Sequence, residues 1–302
     1  SDLGHNATLR PGLELHHWAG AWHCGPQSPM NVAVPRRIKL FVWGGVASFV
    51  LAVVATLILN ARQVALADGA SGANRFVSSA ESALNRSLLA VDVLLASMDD
   101  MLELAGARPE WLDPEVASQR LRSSARQNLM VRYVALLDTQ GRVFASSDAA
   151  GASLSVSLPA GFAASVFEQP VSMLMVSAPA VSFVSAERVL YLGRQVRLVD
   201  GTQLLAVAEV PITALAGVLT QGMDIAGLQV TLERSAGQVL LAMPRQEDAL
   251  ARTLSPPLAD LDVLGPAWQA HARLSGELAL VVSRPLMSPD LRIAASVPLE
   301  AA

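Results

Sequence analysis

The sequence predicts an α+β chain with an N-terminal transmembrane helix, a long stalk helix continuing from it, and two stacked lobes built on antiparallel sheets. Three observations carry that prediction. Leu40 to Leu59 (LFVWGGVASFVLAVVATLIL) is twenty residues without a charge. Leu84, Leu88, Val91, Leu95, Met98 and Leu102 then recur at alternating spacings of four and three. Beyond them a strand, turn, strand order that closes on Val-Pro occurs twice, at Val210-Pro211 and Val297-Pro298.

At about 1.5 Å rise per residue, twenty helical residues cover the roughly 30 Å of hydrocarbon in a bilayer. A signal-peptide core is shorter and is followed by a small-residue cleavage site, which Asn60, Ala61, Arg62 and Gln63 supply poorly. Arg36, Arg37 and Lys39 stand directly before the span, against Arg62 and Arg75 after it. Basic flanks stay cytoplasmic. Residues 30–39 therefore read as a basic cytoplasmic tail and 40–60 as the transmembrane helix. The rest is expected outside a bacterial inner membrane, in the periplasm.

Composition narrows the function. Hydrophobic residues make up 52% of the chain and charged residues 16%, which is apolar even after one span is discounted. Setting aside Asp2 and Glu14, and the cations Arg10, Arg36, Arg37 and Lys39, leaves 24 acids against 18 bases in the exported part. A surface of that sign repels phosphate backbones, so no nucleic-acid partner is expected. Cys24 is the only cysteine and precedes the span, so no disulfide can hold the exported part and its stability must come from burying a core. His5, His16, His17 and His23 crowd the first residues beside Cys24. Their spacing fits no metal-ligand pattern. Met30 opens a natural start, so residues 1–29 read as a disordered or upstream-translated segment, and a chain beginning at Ser1 reads as a fragment.

The four-three spacing marks a stalk helix over residues 61–106. Leu89, Leu94 and Met101 broaden its apolar face, which suits packing against a domain as well as against a partner helix. Gly69 and Gly72 are expected to loosen it near the membrane, and Gly106 with Pro109 to end it. A second amphipathic helix is predicted over Pro114–Gln127. The period then changes to two. Val131–Leu137 and Arg142–Ser146 read as strands joined by an Asp138 to Gly141 turn. A short helix follows around Gly161–Glu168, with strands at Ser172–Val176, Val189–Leu198 and Gln203–Val210 and an Asp200-Gly201 hairpin between the last two. Pro211 opens a helix to Leu219. The shortened repeat has strands at Leu228–Leu232 and Gln238–Ala242, a turn at Glu233–Gly237 between them, and a closing hairpin of Leu278–Ser283 and Leu291–Val297. AEVPITAL at Ala208–Leu215 stands beside ASVPLEAA at Ala295–Ala302, so a small α/β module is duplicated.

The span, the stripe at Leu84–Leu102 and YVALLDTQGRVFASS at Tyr133–Ser147, followed by two strand-rich units, resemble the double Cache sensor modules of bacterial transmembrane receptors. The resemblance covers residues 36–302. It implies two PAS-like lobes, a membrane-distal one over residues 107–222 and a membrane-proximal one over residues 223–302. It further implies an extracytoplasmic ligand-sensing input region of an inner-membrane signal-transduction receptor. Members work as homodimers and transmit a piston or rotation of the stalk. Their output is a diguanylate cyclase, a histidine kinase, a cyclic-di-GMP phosphodiesterase or a chemotaxis domain, which this fragment is expected to lack. The Arg-x-Trp-Tyr signature of the amino-acid-binding branch is absent, so another ligand, or none, is expected. The alternative reading is a single-span envelope scaffold protein without signalling output.

No catalytic constellation is evident. The exported part has His271 as its one histidine, no cysteine, no Gly-x-Ser-x-Gly turn and no Gly-rich phosphate loop. Asp99 and Asp100 are neighbours on a helix and point about 100° apart. Neither a metal nor another cofactor is expected: Met173, Met175 and Phe183 read as core, and no methionine has a haem context. Ligand binding is the better prospect. Tyr133, Tyr191, Arg194, Arg197 and Glu209 fall on predicted strands of the first lobe, and both tyrosines of the chain are among them. An arginine turned into the pocket would hold a small carboxylate through two parallel hydrogen bonds, with tyrosine hydroxyls completing the cage. Strict alternation puts Tyr191 and Arg197 on one face and Arg194 on the other, but a bulge at Gly193 would reverse the later positions. Both arginines stay candidates. The ordinary alternative is that they are solvent-facing strand residues. Arg284 and Arg292 hold comparable places in the second lobe.

Overall fold

The computed structural model describes residues 36–105, 114–148, 158–182, 185–198, 201–220, 225–261 and 267–299. The first 29 residues, the Gly106 and Pro109 stop, Asp200 and Phe183 lie outside them. The chain divides into two compact units between Leu57 and Ile58. In the first, Trp43, Phe49, Leu51 and Leu57 are all exposed. They belong to a helix with an 18-residue window of mean hydropathy 2.0, long and apolar enough to cross a membrane.

Helix α1 (Arg36–Ala105) is continuous and passes through Gly69 and Gly72 without a break. Glycine costs a helix interior only about 1 kcal/mol. Tertiary packing outweighs that here, since Ile225 lies against Gly72. From Ala73 onward one face of α1 is buried, and Leu84, Leu88, Val91, Leu95 and Met98 are at most 3% exposed. The predicted stripe therefore faces this chain's own sheets, with which it forms one core.

The first sheet contains β1 (Tyr133–Leu137), β2 (Val143–Ser146), β3 (Met175–Val176), β4 (Ala180–Val181), β5 (Arg188–Arg197) and β6 (Gln203–Pro211), ordered β2-β1-β6-β5-β3 with β4 also on β5. The second contains β7 (Gln229–Arg234), β8 (Val239–Met243), β9 (Trp268–His271), β10 (Leu278–Pro285) and β11 (Leu291–Pro298), ordered β8-β7-β11-β10-β9. Every named pair is antiparallel. Helices α2 (Pro114–Gln127), α3 (Phe162–Phe167), α4 (Ile212–Leu219) and α5 (Leu258–Leu261) flank the sheets.

The two lobes repeat one another in detail. β1 on β2 and β7 on β8 shift register at corresponding points, Leu136/Leu137 and Leu232/Glu233. The Ser182 amide donates to the Glu187 carbonyl at 2.7 Å and the Ala186 amide to the Ser182 carbonyl at 3.0 Å. Ninety residues on, Ala272 to Glu277 and Gly276 to Ala272 repeat both bonds at 2.7 and 3.0 Å. The same offset places Arg194 opposite Arg284 and Tyr191 opposite Val281. The lobes also touch, since the Arg234 guanidinium donates to the carbonyl of Val176.

Several expectations are corrected. β5 and β6 pair without interruption from Val189 to Arg197, so there is no bulge at Gly193. Pro211 ends β6 and caps α4 instead of opening it. Glu233 is a buried strand residue rather than a turn residue. Met173 is 37% exposed and not core. Strands β4 and β9 were unforeseen, being two and four residues long.

Candidate functional site

Alternation along the first sheet sorts its side chains onto two faces. Val134, Leu136, Leu190, Leu192, Ala206 and Ala208 join the core shared with α1. Tyr133, Ala135, Leu137, Tyr191, Leu205 and Val207 point the other way, where Phe162 and Val166 of α3 cover them. α3 can turn over this face because Gly161 takes a φ of 78° at its start, a left-handed conformation that glycine adopts without a Cβ penalty.

Three of the five predicted site residues meet on that second face. Glu209 pairs in register with Tyr133 on β1 and with Tyr191 on β5, so one row across three strands reads Tyr, Glu, Tyr. All three are buried, with Glu209 3% exposed. The Tyr191 hydroxyl donates to Glu209 Oε2 at 3.3 Å. Glu209 Oε1 has no hydrogen-bond partner among the described residues. Burial pushes the Glu209 carboxyl above the usual glutamate range, against the opposing effects of the Ser182 and Tyr191 hydroxyls and the Arg132 charge. Burial likewise raises both phenols. For Tyr191 the neighbouring Glu209 charge adds to the rise, and for Tyr133 a hydrogen bond with Ser146 opposes it. Both phenols therefore keep their protons, and that of Tyr191 is donated to Glu209.

The two arginines lie elsewhere. Arg194 is on the α1 face, where its Nη1 donates to Asp92 Oδ1 at 2.6 Å. Arg197 shares a face with Tyr191, but six residues of strand separate them by about 20 Å, and it is exposed at the end of β5. Without the bulge, strict alternation holds and neither guanidinium reaches Glu209.

Serines that sequence reasoning did not select complete the surroundings. Ser146, Ser177 and Ser182 are at most 1% exposed. Ser177 Oγ accepts the Tyr191 backbone N–H at 2.9 Å and donates to the Ala178 carbonyl at 2.7 Å. Only the trailing serines after β2 carried a sequence signal. Ser177 and Ser182 sit in short connections without periodicity. Among the described residues no three His, Cys, Asp or Glu side chains gather as metal ligands would. The row thus sets one buried carboxylate between two phenols on a largely apolar sheet face that α3 covers. A carboxylate so placed attracts a small cation that can donate hydrogen bonds to it.

No family model matches the sequence, and no curated protein matches it. Solved structures do match. The extracellular domain of rpHK1S-Z16, named as a histidine kinase, aligns with a TM-score of 0.62 at 19% identity, over 78% of this chain and 96% of that one. The ligand-binding domain of the Pseudomonas fluorescens chemoreceptor CtaA, solved with L-isoleucine, gives 0.57 at 14% identity over 78% and 95%. The sensor domain of the V. cholerae histidine kinase DctB gives 0.51 at 18% identity over 78% and 98%. The chain therefore has the two-lobed fold, with its long N-terminal helix, of the extracellular sensor domains of histidine kinases and chemoreceptors.

Proposed function

We propose that this chain is the extracytoplasmic input region of an inner-membrane signalling receptor, and that its first lobe binds a small molecule over Tyr133, Glu209 and Tyr191. The observation that carries the reading is Glu209, a buried carboxylate with one oxygen unpartnered among the described residues, on the sheet face turned away from α1. A buried, half-satisfied carboxylate destabilises a fold. A protonated amine would satisfy it, with the phenols as further partners. The CtaA domain solved with L-isoleucine supports an amine-bearing ligand. A carboxylate on the same molecule, as first expected for Arg194 or Arg197, is not required by this cluster. The fold likeness to receptor domains favours a sensor over an envelope scaffold.

The order of contacts along α1 supports the first lobe as membrane-distal. The second lobe meets Asn74, Glu81 and Asn85, nearer in sequence to the apolar segment, whereas the first meets Asp92. A homodimer fits the same reading. Leu89 and Val93 stay 47% and 59% exposed, four residues apart on one face of α1, where a second copy would pack.

The test is a thermal-shift and calorimetric screen of the full chain in detergent against small amines, amino acids and simple carboxylates. The reading expects saturable binding of an amine that Glu209→Gln weakens at least tenfold and Arg197→Ala leaves alone. Binding confined to amine-free carboxylates, or indifferent to Glu209, would overturn the site.

A further inference from the structure

The repeat that relates the lobes shows what became of the same face in the second one. In chain order Tyr133, Tyr191 and Glu209 correspond to Gln229, Val281 and Ser296, because β1, β5 and β6 correspond to β7, β10 and β11. These three again form one row, with Ser296 in register with Gln229 and Val281. Here the β9 to β10 hairpin tip folds over the row. The Arg273 amide donates to Ser296 Oγ at 3.3 Å, and the Ser275 amide to Gln229 Oε1 at 3.2 Å.

The Arg273 side chain completes the cover. Its Nε donates to Glu233 Oε1 at 3.0 Å and its Nη2 to Glu233 Oε2 at 2.6 Å, the paired geometry that matches guanidinium to carboxylate. Nη1 donates to the Pro256 carbonyl at 2.9 Å, and the Thr231 hydroxyl holds Glu233 Oε1 at 2.6 Å. The Arg273 side chain is 6% exposed and that of Glu233 0%. Stability alone does not call for this arrangement, since well-packed apolar residues commonly replace a buried ion pair without loss. A carboxylate, a backbone carbonyl and a sheet floor that engage three sides of one guanidinium have the make-up of a binding site.

We propose that the second lobe carries a guanidinium-binding site over Thr231, Glu233 and Pro256 that the chain fills with its own Arg273, as a tethered ligand. Ninety residues earlier the sequence has Phe183, which can supply no cation. The place of Glu233 is held in the first lobe by Leu137, so the guanidinium site belongs to the second lobe. A tethered group has a high effective concentration, so millimolar free guanidinium compounds do not displace it from the native chain. The proposal stands apart from the first-lobe reading, since neither Glu209 nor its tyrosines take part.

The experiment is chemical rescue in the full chain. Arg273→Ala is expected to lower the unfolding midpoint by about 6 to 20 °C, as removal of one partner of a buried pair does. Millimolar n-propylguanidinium should restore at least half of that loss in a saturable way. n-Propylammonium and n-propylurea should not, the first lacking the planar fork and the second the charge. The native chain should not respond to any of them. Adding Glu233→Gln to Arg273→Ala should abolish the rescue. Should Arg273→Ala not fold alone, the folded yield on refolding is read instead, and a saturable rise with n-propylguanidinium supports the site equally. A variant that responds in neither assay, or responds as well to n-propylammonium, overturns it.

Discussion

Arg194 and Arg284, ninety residues apart in the repeat, each reach from a sheet to α1, and the structure ranks the two attachments. Arg194 meets Asp92 at 2.6 Å with side chains 20% and 22% exposed. Arg284 meets Glu81 at 3.3 Å with side chains 38% and 28% exposed, helped by a bond to Asn74 Oδ1 at 3.1 Å. Breaking a fully buried pair costs about 3–5 kcal/mol, whereas an exposed pair is worth about 0–1. The first pair lies between these limits, so Arg194→Met is expected to cost about 2 kcal/mol. In a unit of this size that lowers the unfolding midpoint by about 4–8 °C. The second pair sits near the exposed limit, and Arg284→Met is expected to cost about 0.5–1 kcal/mol. A double-mutant cycle isolates each pair: Arg194→Met with Asp92→Asn, and Arg284→Met with Glu81→Gln, measured by thermal and denaturant unfolding. Coupling of about 1–2 kcal/mol is expected for the first cycle and less for the second. A first-cycle coupling below about 0.3 kcal/mol, or a second cycle that exceeds the first, would refute the argument from burial.

Glu209→Gln should raise the unfolding midpoint near neutral pH, because the folded carboxyl holds its proton more tightly than the unfolded one and its charged form is the disfavoured state. The gain should shrink as pH falls through the raised folded value and vanish by about pH 4, near the ordinary glutamate value; a gain independent of pH would contradict that cause. By the same linkage, an amine bound at Glu209 releases a proton. Its affinity should therefore rise with pH through that window, read by calorimetry in buffers of different ionisation enthalpy. A Cβ at Gly193 would lie 3.0 Å from Phe162 Cζ and 3.2 Å from Leu205 Cδ1. Gly193→Ala should stay within about 1 kcal/mol of the native chain, since alanine's gain in strand propensity offsets the crowding, while Gly193→Val should cost about 2–3 kcal/mol in denaturant unfolding. Leu95 is fully buried and Leu89 is 47% exposed. Leu95→Arg should therefore lose more than about 4 kcal/mol and fail to fold, whereas Leu89→Arg should stay within about 0.5 kcal/mol and reduce self-association in light scattering.

The fold was legible where local physics is strong. The stripe at Leu84 to Met98 announced a helix because one face of α1 must meet the sheets, and the short apolar run of Tyr133 to Leu137 before Gly141 announced a hairpin. Gly141 takes a φ of 78° there, a value few other residues adopt. Strand β9 was missed because Trp268, Gln269, Ala270 and His271 give too few alternations to stand out. The site was half legible. Tyr133, Tyr191 and Glu209 follow from strand period and register. The fate of Arg194 depended on Asp92, 102 residues earlier, which no local pattern relates to it. The Glu233 and Arg273 pair, 40 residues apart, was invisible for the same reason, and an acid before a Ser-Ala-Gly turn reads naturally as part of that turn.

Asp92 and Glu81 stand eleven residues apart on α1, which in an α-helix is three turns plus about 20°. The two arginine attachments therefore lie along nearly the same line of the rod, separated by about 16 Å. Rolling the rod about its axis would swing both acids away from their arginines by similar arcs, so the two lobes would resist torque together. Sliding it lengthwise by an ångström would likewise strain both bonds, and the looser one at Glu81 would slip first. Twist and thrust along α1 therefore load the same two attachments, and in either case the weaker hold on the second lobe yields before the hold on the first.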